Sequence, residues 1–249
     1  MNNIHLKYTA SGHLVIFPED NCHTIVDIML TTGYSEEFCI APVDSSDLSA
    51  EFTGRLMEAG FLVMSALYNN DNEESEYIFL PKLHLERSAL FFENLHIKKS
   101  IRRFLNRYEL RPDSDFNHIV ERCIEIHGGD WLTPPLAENI KKIRDSSGGS
   151  AGKILPAAGA RPVSFALYRD NELVAGEFGV VCGRVYTSYS GYYNESNAGT
   201  VQLILTARYL QEQGFSFFDL GMPLDYKTDL GATNISPEEF VRLFRWADF

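Results

Sequence analysis

The chain has 249 residues, with 34 acidic side chains against 22 lysines and arginines, for a formal net charge of −12. Hydrophobic content of 45% and charged content of 22% describe a globular protein long enough for one large domain or two smaller ones. No window approaches the roughly 18 apolar residues of a membrane span, and no charged leader with an apolar stretch opens the chain, so neither a membrane partner nor a secretory signal is expected.

Cys22, Cys39, Cys123 and Cys182 are scattered, with no CxxC pair and no zinc-like spacing to a histidine. They read as reduced, buried thiols of a cytoplasmic protein without metal or other cofactor. Strand candidates come first: Ile4 to Tyr8, His13 to Phe17 and Glu37 to Val43. Ile25 to Leu30 is the longest apolar run near the start, interrupted by Asp27. Asp47 can cap a helix over Leu48 to Ala59, where Leu48, Phe52, Leu56 and Ala59 share a face and Gly60 stops it. Phe61 to Tyr68 and Glu76 to Leu80 predict a hairpin with an acidic, solvated tip at 69–76.

A cationic helix is expected over Leu95 to Phe104. After it, Asp113 or Ser114 caps a helix carrying Phe116, Ile119, Val120, Cys123 and Ile124 at i, i+3, i+4, i+7 and i+8, closed by Gly128-Gly129. Pro134 and Pro135 open a further helix to about Asp145. Ser146 to Ala160 is rich in Ser, Gly, Ala and Pro and predicts a mobile loop. Its Gly-Gly-Ser-Ala-Gly-Lys fragment is no phosphate loop: Ser147 replaces the first glycine, Ile154 follows the lysine, and no strand precedes it. Pro162 to Arg169, Leu173 to Cys182 and Arg184 to Ser190 predict three strands with turns at Asp170-Asn171 and Gly183. A helix over Asn197 to Gln213, a strand over Ser216 to Leu220 and a helix begun by a Ser236/Glu239 capping box complete a mixed α/β chain with a largely antiparallel sheet.

Three groups of residues invite chemistry. Lys98, Lys99, Arg102 and Arg103 crowd one helical face, extended by Arg107 and Arg111. Like charges at that spacing repel, so either nearby acids neutralise an ordinary solvated face or a polyanion rewards the cluster through counterion release; the second reading is preferred. Trp131, after a Gly-Gly-Asp turn, is either a core plug or a platform for an unpaired base. Asp219 ends a strand and precedes Gly221, a place where α/β proteins present site residues, although on the residues alone a capped strand end or an ion pair is the preferred reading. Tyr186, Tyr189, Tyr192 and Tyr193 form either a packed sheet rim or a pocket wall.

With these words in hand, the chain from about Phe52 onward resembles the leucyl/phenylalanyl-tRNA–protein transferase family. The resemblance rests on Leu95-His96-Ile97 with its basic run, Val120-x-x-Cys123, Gly129-Asp130-Trp131-Leu132-Thr133, Glu172-Leu173-Val174-x-Gly176 with Gly179, Asn197-Ala198, Asp219, and Asp225 with Leu230-Gly231-Ala232. It implies an N-terminal α+β domain over 1–94 and a GNAT-like acyltransferase domain over 95–249. The implied donor is aminoacyl-tRNA. Consistently, no acetyl-CoA pyrophosphate loop precedes a helix; Gln211-x-x-Gly214-x-Ser216 leads into a strand instead. The implied acceptor is the N-terminal α-amine of a protein or peptide, in the N-end rule branch of protein degradation.

By the same resemblance Asp219 is the catalytic carboxylate and Trp131 stacks on the terminal adenosine. Lys98, Lys99, Arg102, Arg103 and Arg107 face the tRNA acceptor stem, and Arg87 aligns with an arginine of an upstream motif and is grouped with them. There are departures. The family's Asp-Cys-Gln is Asp219-Leu220-Gly221 here, its Gly-Glu-Ser glutamate aligns with Tyr189 and leaves only Ser190, and its paired tryptophans fall on Pro81 and Lys82. Two apolar positions of its substrate pocket align with Glu177 and Gly191. A carboxylate in a pocket built for Leu or Phe is costly to bury unpaired, so the pocket is open or the donor is polar or cationic. The alternative is a degenerate member that binds tRNA or a peptide without transfer.

Overall fold

The structure, a computed structural model, describes residues 6–41, 50–69, 75–148 and 152–246. Strands β1 (Lys7–Tyr8) and β2 (Leu14–Val15) pair and lead into α1 (Cys22–Thr32). The Asn21 side chain caps α1 by accepting from Thr24 N at 3.0 Å. Cys22, Ile25, Val26 and Met29 fall on its buried stripe. The apolar run Ile25 to Leu30 is therefore helix, and Asp27 stands outside it, paired with Arg245 at 2.6 Å.

α2 (Ala50–Glu58) stops before Gly60, whose φ of +99° suits glycine. The expected hairpin follows as β3 (Leu62–Asn69) and β4 (Ser75–Lys82), in register from Leu62↔Lys82 to Asn69↔Ser75. The Asp47 cap and most of the 69–76 tip lie outside the described residues. Next come β5 (Arg87–Leu90), α3 (Lys99–Arg102), β6 (Glu109–Pro112), α4 (Phe116–His127) and α5 (Pro134–Ser146). β7 (Ala157–Arg169), β8 (Glu172–Gly183) and β9 (Val185–Tyr193) form a meander. α6 (Ala198–Glu212), β10 (Phe217–Asp219), α7 (Asp225–Asp229), β11 (Thr233–Ile235) and α8 (Pro237–Trp246) finish the chain.

Several expectations need correction. The cationic helix shrinks to the single turn α3, because His96 N donates to Leu230 O at 2.9 Å and draws 95–98 out of helical register. Asp115, at φ +56°, is the residue that precedes α4, and neither Asp113 nor Ser114 caps it. Asp113 is instead buried against Arg144 at 2.5 Å and Arg161 at 3.6 Å. The 146–160 segment is not all loop, since α5 reaches Ser146 and β7 starts at Ala157. Of the capping box, Ser236 Oγ accepts from Glu239 N at 3.3 Å.

Seven strands form one sheet in the order β11-β5-β10-β9-β8-β7-β6, antiparallel throughout except for the β9–β10 pair. Asp170 and Asn171, both at positive φ, make the tight β7–β8 turn. One face carries a core built with Ile25, Phe52, Phe116, Leu136 and Phe240, from α1, α2, α4, α5 and α8. The other carries a second core of α6 residues Val201, Ile204 and Leu210 with Ile101 and Leu105. β5 precedes residue 95 yet is a strand of the large sheet; a division into 1–94 and 95–249 is kept as a proposal about organisation. Among the described residues no helix is long and apolar enough to cross a membrane.

Candidate active site

β9 and β10 run parallel for three residue pairs, Phe217↔Val185 to Asp219↔Thr187, after which β10 stops and β9 continues to Tyr193. A notch opens where they part. Its β10 side is Asp219-Leu220-Gly221 and its β9 side is Ser188 to Gly191. α7 closes one end.

Asp219 is fully buried beside the notch, on the face covered by α2 and α8. Arg87 grips it twice, Nε to Oδ1 at 3.0 Å and Nη2 to Oδ2 at 2.7 Å. Thr187 Oγ1 donates to Oδ2 at 2.8 Å and Gly221 N to Oδ1 at 3.0 Å. Four donors leave the carboxylate little capacity for substrate. Arg87 is itself 1% exposed, stacked on the Phe240 ring at 3.9 Å and bonded to Gly60 O. That position puts it out of reach of a polyanion on the surface; it orients Asp219. The adjoining cavity, lined by Met57, Phe61, Arg87, Thr187 and Tyr189, measures about 10 Å³, room for one water. Tyr189 accepts from Val63 N at 3.2 Å and ties the notch to β3.

Glu177 turns to the opposite face. Phe178, Val180 and Cys182 of β8 enter the first core, while Ala175 and Val181 enter the second, so alternation places Glu177 with the latter. It pairs across the strands with Gly191 and is 3% exposed. Its Oε1 has no partner at hydrogen-bond geometry, although the Tyr186 and Ser188 hydroxyls lie close enough to the carboxylate to favour its charged form. Burial lifts the Glu177 carboxyl to about 7, opposed by Tyr186, Ser188 and Lys227. Lys227 Nζ is not its ion-pair partner: it donates to Leu220 O at 2.5 Å and Met222 O at 2.7 Å. Burial lowers that ammonium to about 8, against the pull of Asp219 and Glu177. Ser190 faces the buried Cys123 thiol on α4.

Gly221 adopts φ +72°, and a side chain starting there would meet nothing nearer than His84 Nε2 and Leu62 at 3.9 Å. His84 is 4% exposed with Nε2 unpartnered. Burial and the charges of Arg87, Lys82 and Lys227 hold the imidazole far below its ordinary value, so it is neutral. A neutral polar group thus stands beside Gly221. The sequence reading passed over His84, Thr187 and Lys227, which only the fold gathers here.

The basic segment Lys98, Lys99, Arg102, Arg103 and Arg107 is exposed. Lys98 pairs with Asp229 at 2.5 Å; the other four make no ion pair among the described residues. Arg103 and Arg107 lie over the Phe104 ring at 4.8 and 5.2 Å. Close packing fixes the segment beside α7, because a side chain at Gly231 (φ +102°) would run into Asn94 O. Trp131 is half-buried against the first core, and its carbonyl accepts from Ser65 N at 2.8 Å. Ile101 and Leu105 sit in the second core, so the structure anchors the strip and the indole on different faces of the sheet. No group of three His, Cys, Asp or Glu side chains among the described residues could hold a metal ion.

The leucyl/phenylalanyl-tRNA protein transferase family matches residues 89–245, more than half of the chain. The chain belongs to that family. Asp219, Glu177, Trp131 and the basic strip fall inside the matched span of this transferase family; Arg87 and His84 precede it. Among similar proteins, the leucyl/phenylalanyl-tRNA–protein transferase of Pseudomonas entomophila (strain L48) is 30% identical over 160 residues, 62% of this chain and 65% of the relative. That of Pseudomonas putida (strain W619) is 28% identical over 160 residues, with the same coverage. That of Campylobacter jejuni (strain RM1221) is 26% identical over 159 residues, 64% and 67% of the two chains. The chain thus spans 65% of the length of the first of these curated relatives.

Solved structures of similar outline include the C-terminal domain of a putative lysylphosphatidylglycerol synthetase from Agrobacterium fabrum. Its TM-score is 0.39 at 12% identity, with 97% of this chain and 80% of that one covered. A GCN5-related N-acetyltransferase from Kribbella flavida gives 0.36 at 11%, with 89% and 77% covered. Likeness at this level says nothing about activity.

Proposed function

We propose that the chain is an aminoacyl-tRNA-dependent aminoacyltransferase, acting on the N-terminal α-amine of a protein or peptide. The observation that carries the reading is the exposed cationic strip, four of its five members without an ion pair among the described residues, tied by Lys98 to α7 on an otherwise acidic chain. Phosphates reward such a cluster through counterion release. The acceptor stem lies along Lys98, Lys99, Arg102, Arg103 and Arg107, and the 3′ end reaches the notch. Trp131, half-exposed, is available to stack on a base of the 3′ end only by reaching round the sheet.

In the transfer step the neutral amine attacks the ester carbonyl carbon. A C–N bond forms, the C–O bond to the ribose breaks, and the ribose oxygen takes up the proton that the nitrogen sheds. Placement and a polar surround for the developing oxyanion supply most of what this reaction needs. Asp219 acts as a positioning residue: held by Arg87 and Thr187, it fixes Gly221 N and the turn beyond β10. The test is mass spectrometry of peptides with free N-termini incubated with tRNA pools charged with each amino acid. A mass increase equal to one aminoacyl residue is expected.

The second reading, a member that binds tRNA without transfer, is favoured by the saturated Asp219 and the small cavity beside it. No mass addition from any donor, together with tRNA binding that weakens steeply with salt, selects it.

A further inference from the structure

Glu177 on β8 faces Gly191 on β9 as one cross-strand pair, and the resemblance aligns both with apolar positions of a substrate pocket. The exchange replaces two apolar side chains with one long carboxylate and one bare backbone. We propose that the donor carries a side chain ending in a cation, a lysyl or arginyl group, and that Glu177 is the residue selecting it; this rests on the aminoacyltransferase reading above.

Burial with an unpartnered Oε1 is the first reason. A buried carboxylate with one oxygen unpartnered and no counter-charge is costly, and natural sites relieve the cost by pairing it. The nearest ammonium does not do so, since Lys227 is spent on the Leu220 and Met222 carbonyls. Among the described residues no other cation bears on it: Tyr186, Ser188, Tyr226 and the Cys123 thiol of α4 lie near Glu177, along with the buried Lys227. A leucyl or phenylalanyl group entering here would cover the carboxylate with hydrocarbon and deepen its isolation. An ammonium or guanidinium on a flexible stem would complete it, with Tyr186 and Ser188 hydroxyls at hand as further partners. Glycine at 191 keeps the opposite strand from pressing on Glu177, since a Cβ there would meet Gly176 O at 3.1 Å and Glu177 Cβ at 3.4 Å.

A cation seated against Glu177 also draws its carboxyl, lifted toward neutrality by burial, back to the charged form, so binding releases a proton below pH 7. Affinity for a cationic donor is therefore expected to rise with pH from 6 to 8, whereas affinity for an apolar donor is not.

The probes are hydrolysis-resistant adenosines bearing an amide-linked lysyl or leucyl group at the 3′ position, titrated calorimetrically into the full chain. The lysyl compound is expected to bind at least about tenfold tighter than the leucyl one. Glu177→Met is expected to reverse the order and to abolish the proton release, and Glu177→Gln, which keeps the shape, to lose the preference. Equal or tighter binding of the leucyl compound by the unaltered chain overturns the proposal, as does an unchanged order in Glu177→Met. Transfer assays separate the two levels of inference. Leucyl transfer without lysyl or arginyl transfer sinks the donor assignment and leaves the aminoacyltransferase standing. Lysyl preference in binding without transfer from any donor keeps the selectivity and removes the catalysis. Binding of neither compound removes both.

Discussion

Asp219 and Glu177 are carboxylates buried in the same sheet, on opposite faces, and they differ in company. Asp219 receives four hydrogen bonds, two from a guanidinium that is itself stacked on Phe240. Glu177 has one oxygen with no partner and a neighbouring lysine engaged elsewhere. The first is finished as it stands and acts by holding backbone in place. The second is incomplete, which is why Glu177 rather than Asp219 is the one proposed to meet a ligand.

Breaking the complete side has the largest expected effect. Arg87→Met leaves Asp219 buried and charged, a loss of roughly 3–5 kcal/mol for a severed buried pair. Thermal unfolding should fall by about 6–20 °C on a chain this long, and a drop of only one or two degrees would count against the clamp. The incomplete side predicts the opposite sign. The folded state holds the Glu177 carboxyl up at about 7 from 4.5, so it binds more protons than the unfolded state between those values. Its contribution is intact below pH 4.5 and is lost as pH rises to 7. Glu177→Gln should therefore unfold at about the same denaturant concentration as the parent at pH 4.5, and be more stable by roughly 3 kcal/mol at pH 8.

Smaller effects test the surface and the seam between the faces. Arg102→Glu with Arg103→Glu should weaken tRNA binding by about tenfold or more. The slope of log affinity against log salt should fall by about 0.7–0.9 for each phosphate that is no longer neutralised. Both should come without a change in melting temperature; an unchanged slope would mean that the strip is only solvated. Tyr189→Phe, which leaves Val63 N without its acceptor, should cost about 1 kcal/mol in denaturant unfolding.

Much of the frame was legible in the chain because its signals are local. The stripe of Phe116, Ile119, Val120 and Cys123 is buried as one face of α4, and Asp170-Asn171 makes the turn that its composition announces. Local signals failed where distant contacts decide. The basic run has good helix formers, yet Leu230 O captures His96 N and only one turn survives. Arg87 looked like its cationic neighbours in composition, but its partner stands 132 residues away in sequence and pulls it inside. Lys227 and His84 carry no pattern that marks them as interior. Glu177 was legible as an oddity because a carboxylate interrupts the apolar run of β8; its missing partner was not.

The short tether between Lys98 and Asp229 has a consequence of its own. Asp229 ends α7, and α7 supplies Lys227 to the carbonyls that follow β10. A phosphate that meets Lys98 competes with Asp229 for one ammonium, so occupancy of the outer strip is expected to loosen α7 and its hold on the carbonyls after β10. Faster amide exchange across 225–230 on adding an RNA duplex is the expected trace of that loosening, and replacing Lys98 with glutamine should make the exchange fast before any RNA arrives.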